Sequence, residues 1–267
     1  MFFLALNNHG RRLLSSVVDF RKPINTLSSG SGYIGKRDFK PILVSIEGNI
    51  GAGKTTLLEH LRKRRPDWTF INEPIDSWSK IRNDKDQSIL EVFYEDRRRW
   101  AYTFQNCALL TRYQEIESTV KATQASSIGG TQIFLTERCL DTDYHVFTKM
   151  LKADGSLDSI ELQLYEKLLN ELKKTATPLA AIVHVNTVPE ICSERIKHRG
   201  RAGEEAISMD YLKSLDFYQN AWIDKKSVPH FKTDLSDVNL VEEFISSLVP
   251  VQTEVDQSVN STLLSFN

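Results

Sequence analysis

Apolar residues fall into short runs separated by longer stretches of helical periodicity. Ile42-Leu43-Val44-Ser45-Ile46, just after Pro41, reads as a buried strand that ends in a glycine-rich loop. Residues from Lys54 to about Arg64 read as a helix. Short β-rich runs at 69–71, 133–136, 180–185 and 230–233 read as further strands. The stretch from about Ile89 to Thr123 is periodic enough for two helices. Thr187 is placed to cap a helix opening at Pro189-Glu190, and another helix follows Ser208. Strands separated by helices imply parallel pairing through right-handed crossovers: an α/β fold with about five strands flanked by helices. There is no internal repeat.

Composition narrows the class. Hydrophobic residues make up 40% and charged residues 26% of the 267, which excludes collagen-like, low-complexity and wholly disordered chains. Lys plus Arg (34) nearly equals Asp plus Glu (35), which argues against a general nucleic-acid binder with a basic surface. No run approaches 18 apolar residues, so no membrane span is expected. Cys107, Cys139 and Cys192 are too scattered for a disulfide framework or a structural zinc site.

The charge is uneven. Residues 1–40 hold seven basic side chains against Asp19 and Asp38, so they carry +5 while the rest carries −6. An Arg-rich, Ser-containing, acid-poor opening has the composition of a mitochondrial transit peptide. The expected organisation is a presequence over 1–40, a catalytic domain over 41–249 and a polar tail over 250–267. Mitochondrial residence is expected, with the cytoplasm as the alternative.

The strongest local signal is Gly48-Asn49-Ile50-Gly51-Ala52-Gly53-Lys54-Thr55, followed by Thr56, which matches G-x-x-x-x-G-K-[ST] between a strand and a helix. Glycines let successive backbone N–H groups turn toward phosphate oxygens, and the helix adds its positive end. Lys54 reaches the β- and γ-phosphates, and Thr55 is a Mg²⁺ ligand. The expected fold is therefore the three-layer P-loop nucleotide-binding fold. No Asn-Lys-x-Asp guanine reader is present, which lowers the GTPase reading.

Three clusters sharpen the chemistry. Glu73, in Glu73-Pro74-Ile75-Asp76-Ser77-Trp78, follows the second strand, where a carboxylate faces the ligand crevice and can accept a hydroxyl proton. Thr136-Glu137-Arg138 ends the third strand; there Glu137 can hold Mg²⁺ or its waters and Arg138 can orient the phosphate acceptor. Arg195, Arg199 and Arg201 lie before and within a segment hinged by Gly200 and Gly203, which reads as an Arg-rich lid over a triphosphate.

With these blocks in order (IEGNIGAGKTT, NEPIDSW, FYEDRRRWAYTFQ, TERC, ERIKHRGRAGEE), the chain resembles the cellular deoxyribonucleoside kinases from about Pro41 to Leu248. The resemblance implies transfer of a phosphoryl group from Mg·ATP, or another triphosphate, to a deoxyribonucleoside 5′-hydroxyl. It makes Glu73 the general base, with Lys54 and Arg138 serving the transfer. It places Trp78, Phe104 and Phe147 around the nucleoside, Tyr94 and Glu205 on the sugar 3′-hydroxyl, and Gln105 on the base edge. Arg138 lies near the 5′-hydroxyl and Glu137 is the metal-associated acid. Cys139 departs from the usual Ser after Glu-Arg. Homodimers through a helix pair are also implied, with the periodic helices between Ile89 and Thr123 as the interface.

Base choice turns on Arg112 and Asp143. The resemblance puts this chain with the deoxycytidine and deoxyguanosine kinases, where an Arg–Asp pair fills space that thymidine-accepting relatives leave for the thymine methyl. The expected substrates are deoxyguanosine, deoxyadenosine or deoxycytidine, with thymidine poor. Two other classes share the phosphate loop or the family likeness: a non-catalytic kinase-like subunit of a mitochondrial complex and a nucleoside monophosphate kinase. Intact Gly53-Lys54-Thr55, Glu73 and Glu137-Arg138 argue against the first, and the lack of an identifiable acceptor-phosphate arginine site argues against the second.

Overall fold

The computed structural model describes residues 38–250. The expected presequence and the polar tail lie almost wholly outside that range. The first strand, β1 (Phe39–Glu47), starts before the expected boundary at 41. It is followed by α1 (Lys54–Arg64), β2 (Thr69–Ile71), α2 (Ile75–Lys80), α3 (Ile89–Glu95), α4 (Arg97–Ser126) and β3 (Gly130–Glu137). Next come α5 (Leu140–Thr142), a π-helical segment (Asp143–Thr148), α6 (Lys149–Ala153), α7 (Ser159–Lys173) and β4 (Leu179–Val185). The described chain closes with α8 (Pro189–Arg199), a 3₁₀ turn (Glu204–Ala206), α9 (Met209–Ile223), β5 (His230–Thr233) and α10 (Val238–Ser247).

The five strands are parallel in the order β2-β3-β1-β4-β5, so β1 is central and strand direction is uniform. Alternation along β1 decides what packs where. Val44 and Ile46 meet Leu57, Leu58 and Leu61 of α1, Ile196 of α8, and Val241 and Ile245 of α10. Leu43 faces the other way and joins Phe134 to Ile116 and Val120 of α4. Helices therefore cover both faces, as a buried parallel sheet requires.

The expected pair of helices between 89 and 123 is present. Ser88 and Glu91 form a capping box for α3, and the Asp96 side chain accepts from Arg99 N to start α4. That one-residue break turns the chain, so that α3 and the first turns of α4 wall the same side of the cleft. The expected cap at Thr187 is a correction. Val188 occupies the cap position without a side-chain bond, and the Thr187 hydroxyl donates to the Ala52 carbonyl, 2.9 Å away. That hydroxyl thus ties the β4 exit to the phosphate loop. Among the described residues no helix is long and apolar enough to cross a membrane.

Candidate active site

The phosphate loop leaves the carboxyl end of β1 and enters α1. At Gly48 a side chain is sterically excluded, because a Cβ would lie 2.5 Å from the Val185 carbonyl. Gly53 opens α1 with φ 106°, a left-handed value that favours glycine. Asn49 is buried in a structural role: its side-chain amide donates to Leu212 O at 2.8 Å and its Oδ1 accepts from Ile50 N. Lys54 Nζ donates to Asn49 O at 2.9 Å and lies 3.7 Å from Glu137. Burial, aided by Arg138, draws Lys54 down to about 8, against the pull of Glu137, Glu73 and Glu47. Thr55 Oγ1 donates to Glu137 Oε2 at 2.9 Å. Thr56 is exposed on the first turn of α1.

Glu73, just beyond β2, is gripped by two arginines: Arg112 Nη2 at 3.0 Å and Arg138 Nε at 3.3 Å. Its partial burial would raise the carboxyl, but Arg138, Arg112 and Lys54 outweigh that and hold it at about 2. Arg138 has φ 66°, a left-handed backbone unusual for a residue with a side chain. Its backbone is held on both sides, with its N–H donating to Ile46 O and its carbonyl accepting from the Thr136 hydroxyl. Its guanidinium lies 4.8 Å from the centre of the Phe147 ring.

Arg112, buried on α4, makes three charge-assisted bonds: Nε to Asp143 Oδ2 at 2.9 Å, Nη1 to Glu137 O at 2.8 Å and Nη2 to Glu73. One side chain thus ties Asp143 to Glu73. Asp143 and Phe147, four residues apart on the π-helical segment that Lys149 N closes by donating to Tyr144 O, both line the cleft.

The cleft measures about 270 Å³. It brings together Lys54, Thr55, Glu73, Trp78, Tyr94, Phe104, Gln105, Arg112, Glu137, Arg138, Asp143, Phe147, Arg199 and Arg201. Trp78 meets Phe104 edge-on with ring centres 5.2 Å apart, and Phe93 stacks on Phe104 at 4.6 Å, giving flat apolar walls. Trp78 is pinned by its indole N–H donating to Thr111 Oγ1. Gln105 is buried, yet among the described residues its carbonyl oxygen has no hydrogen-bond partner. A buried acceptor in a flat aromatic slot is suited to a planar ligand that donates a hydrogen.

Two placements differ from expectation. Glu205 is exposed and does not line the cleft; its neighbour Glu204 is buried and does. Gly203, with φ 85° and packed on Glu91, turns the chain so that Glu204 points inward. Glu204 holds both lid arginines, Arg199 at 2.7 Å and Arg201 at 3.1 Å. Tyr94 is raised well above the usual phenol value by burial, with the Glu204 carboxylate contributing, so it stays a protonated donor. Arg195 lies on α8 ahead of the lid and donates to the Ala52 carbonyl at 2.8 Å, bracing the phosphate loop from outside the cleft.

Sequence reasoning missed Glu47. It is fully buried one residue before the loop and accepts from Ser45 at 2.5 Å, from Thr142 and from Gln219 at 3.3 Å. It ties β1, α5 and α9 together under the phosphate site. An acid directly before the first glycine was its only signal. Phe93 and Leu90 also line the cleft; they read as ordinary helix core.

A glycine cradle between β1 and α1, with a lysine, two acids and arginines converging on it, defines a P-loop phosphotransferase. The family model for deoxynucleoside kinase matches residues 44–259, running into the segment expected to be a tail. The chain is 33% identical over 201 residues to deoxycytidine kinase 2 of Gallus gallus, covering 69% of this chain and 75% of that protein. It is 29% identical over 198 residues to the mitochondrial deoxyguanosine kinase of Xenopus laevis, covering 69% and 74%. To the deoxycytidine kinase of Homo sapiens it is 27% identical over 244 residues, covering 77% and 91%. The chain belongs to the deoxynucleoside kinase family. It is an enzyme that moves a phosphoryl group from a nucleotide donor to a deoxynucleoside.

Proposed function

We propose that this kinase phosphorylates the 5′-hydroxyl of deoxyguanosine, deoxyadenosine or deoxycytidine, and uses thymidine poorly. The observation that carries the preference is the buried Arg112–Asp143 pair, in the same cleft as the unpartnered Gln105 oxygen. A rigid charge pair there offers hydrogen bonds to purine or cytosine edges and takes the room a thymine methyl would need.

The donor triphosphate occupies the loop from Gly48 to Thr56, with Lys54 on its outer phosphates and Arg199 and Arg201 closing from the lid. The nucleoside base lies among Trp78, Phe104, Phe147 and Gln105. Tyr94 and Glu204 hold the 3′-hydroxyl. Glu73 aligns the 5′-hydroxyl and accepts its proton. A carboxylate held near 2 is ionised at every working pH, but it is a weak base. It therefore takes the proton late, as a loose transition state allows. Arg138 steers the acceptor and neutralises developing charge. Thr55 and Glu137 present hard oxygen donors 2.9 Å apart beside Lys54, which fits Mg²⁺. Those two residues would hold it, and it would neutralise phosphate charge during transfer.

Two further readings go with this one. Leu110 of α4 and Ile160 and Leu164 of α7 are exposed apolar side chains on two helices that pack together, so we assign the homodimer contact to those helices. The basic, acid-poor first 40 residues support delivery to mitochondria, the compartment in the name of the Xenopus laevis relative.

The test is phosphoryl transfer from Mg·ATP to the four deoxynucleosides, with ribonucleosides and deoxynucleoside monophosphates as controls. Turnover of deoxyguanosine, deoxyadenosine or deoxycytidine, with little of thymidine, is the expected result. Turnover mainly of thymidine would sink the base-pocket reading.

A further inference from the structure

Two buried hydroxyls lie near the Arg112–Asp143 pair. Thr148 Oγ1 and the Tyr165 hydroxyl belong to fully buried residues; the two lie close together, Thr148 opposing the rise of the phenol, yet among the described residues neither completes a hydrogen bond of good geometry. Their positions follow from the fold. Thr148 ends the π-helical segment that Asp143 begins, one wide turn further along the chain. Tyr165, on α7, packs with Leu109 and Leu140, and its ring lies parallel to that of Tyr144 with centres 6.4 Å apart. Leu109 is one turn before Arg112 on α4, and Tyr144 follows Asp143. The phenol therefore enters behind the pair, on the side away from the cleft. Burial first, then the Asp143 carboxylate, pushes that phenol well above its usual value, so it stays a donor.

Asp143 can accept more than it receives. Among the described residues its side chain makes one hydrogen bond, to Arg112 Nε, although a carboxylate has about four lone-pair positions. Two buried hydroxyls close to each other and to an under-used buried carboxylate can supply it with the donors that no other side chain gives.

We propose that Tyr165 and Thr148 form a hydrogen-bonded brace behind Asp143 and act as positioning residues for base selection. The inference rests on reading Arg112–Asp143 as the base-selecting pair. Neither residue touches substrate; both act through Asp143. Without the brace the carboxylate can swing on its Cβ bond. Arg112, still held by Glu73 and the Glu137 carbonyl, would then present a looser edge to the base.

The test uses the full chain with Tyr165→Phe, Thr148→Val and Thr148→Ser, measuring kcat/KM for all four deoxynucleosides alongside Tm. Tyr165→Phe keeps the ring and its stacking; Thr148→Val keeps the shape; Thr148→Ser keeps the hydroxyl. Loss of one such bond should lower the ratio of the best nucleoside to thymidine about five- to tenfold in the Phe and Val variants, chiefly through KM. The Ser variant should stay within about twofold of the parent. A merely structural role would move Tm and leave the ratio alone. An unchanged ratio in the Phe and Val variants overturns the brace if the double change Arg112→Met with Asp143→Ala still raises thymidine use. If that double change also leaves the ratio alone, the pair itself has no role in base choice and both readings fall. Should Tyr165→Phe not fold, Val against Ser at 148 decides in the same way.

Discussion

The most exacting consequence concerns Arg112 and Asp143 taken singly and together. Arg112→Met removes three hydrogen bonds at once and leaves Asp143, 2% exposed, with no other side-chain hydrogen bond among the described residues. Stranding one half of a buried pair costs about 3–5 kcal/mol. The lower end applies here. Burial already holds Asp143 at about 6 despite Arg112, so the lone carboxyl takes up a proton at neutral pH instead of staying charged. Asp143→Ala is milder, about 2 kcal/mol, because Arg112 keeps Glu73 and the Glu137 carbonyl. If the pair is coupled, the double variant loses about 3 kcal/mol, not the sum of about 5. For a domain of this size that is a fall in Tm of about 6–12 °C. Selectivity should move with it. Room for a methyl group in an apolar pocket is worth about 1–3 kcal/mol, so thymidine kcat/KM relative to the best nucleoside should rise at least about tenfold in the double variant. Thermal unfolding and steady-state kinetics on the four proteins of the cycle read both quantities. Additive Tm losses with an unmoved thymidine ratio would refute the coupling and the base-pocket assignment together.

Other consequences are simpler to check. Glu73→Gln should lower kcat by about 10²–10⁴ while circular dichroism and Tm show an intact fold; near-normal turnover would remove Glu73 from the proton-accepting role. Leu164→Glu places a charge at an exposed apolar position of α7 and should convert the dimer to monomer in sedimentation, whereas an unchanged sedimentation coefficient would place the interface elsewhere. His184, almost fully buried on β4, is held at about 4 by burial, with Lys232 adding to the shift and Asp224 opposing it. Its folded value lies below the unfolded 6.5, so its contribution is full above 6.5 and is lost as pH falls to about 4, by at most about 3 kcal/mol. His184→Gln should flatten the fall of Tm across that window, and a curve parallel to the parent's would show the acid loss arises elsewhere.

Much of the fold was legible because β1, β3 and β4 carry apolar runs that are buried over their carboxyl halves. The strands at 69–71 and 230–233 match β2 and β5 residue for residue, and β1, β3 and β4 only extend their predicted runs. The α7 helix was not picked out, although Asp158 and Glu161 form a capping box at its start. Its apolar side is split between Tyr165 and Leu169, which face the core, and Ile160 and Leu164, which face outward, so no single stripe marks it. The π-helical segment has no sequence period of its own.

The site was legible where chemistry is fixed by strand ends, and blurred where a turn decides direction. Lys54, Glu73, Glu137 and Arg138 follow strands, so knowing the strand gives the residue's place at the carboxyl edge of the sheet. The pair Glu204-Glu205 follows a lid whose two glycines make register unreadable by counting, and the expectation fell on the wrong member. What settles it is the left-handed turn at Gly203 against Glu91, which directs Glu204 inward to Arg199 and Arg201 and leaves Glu205 in solvent. That placement also gives a reason for an acid at 204. Two lid arginines beside Lys54, Arg112 and Arg138 would otherwise concentrate positive charge over an empty cleft, and Glu204 offsets it until donor phosphates take its place.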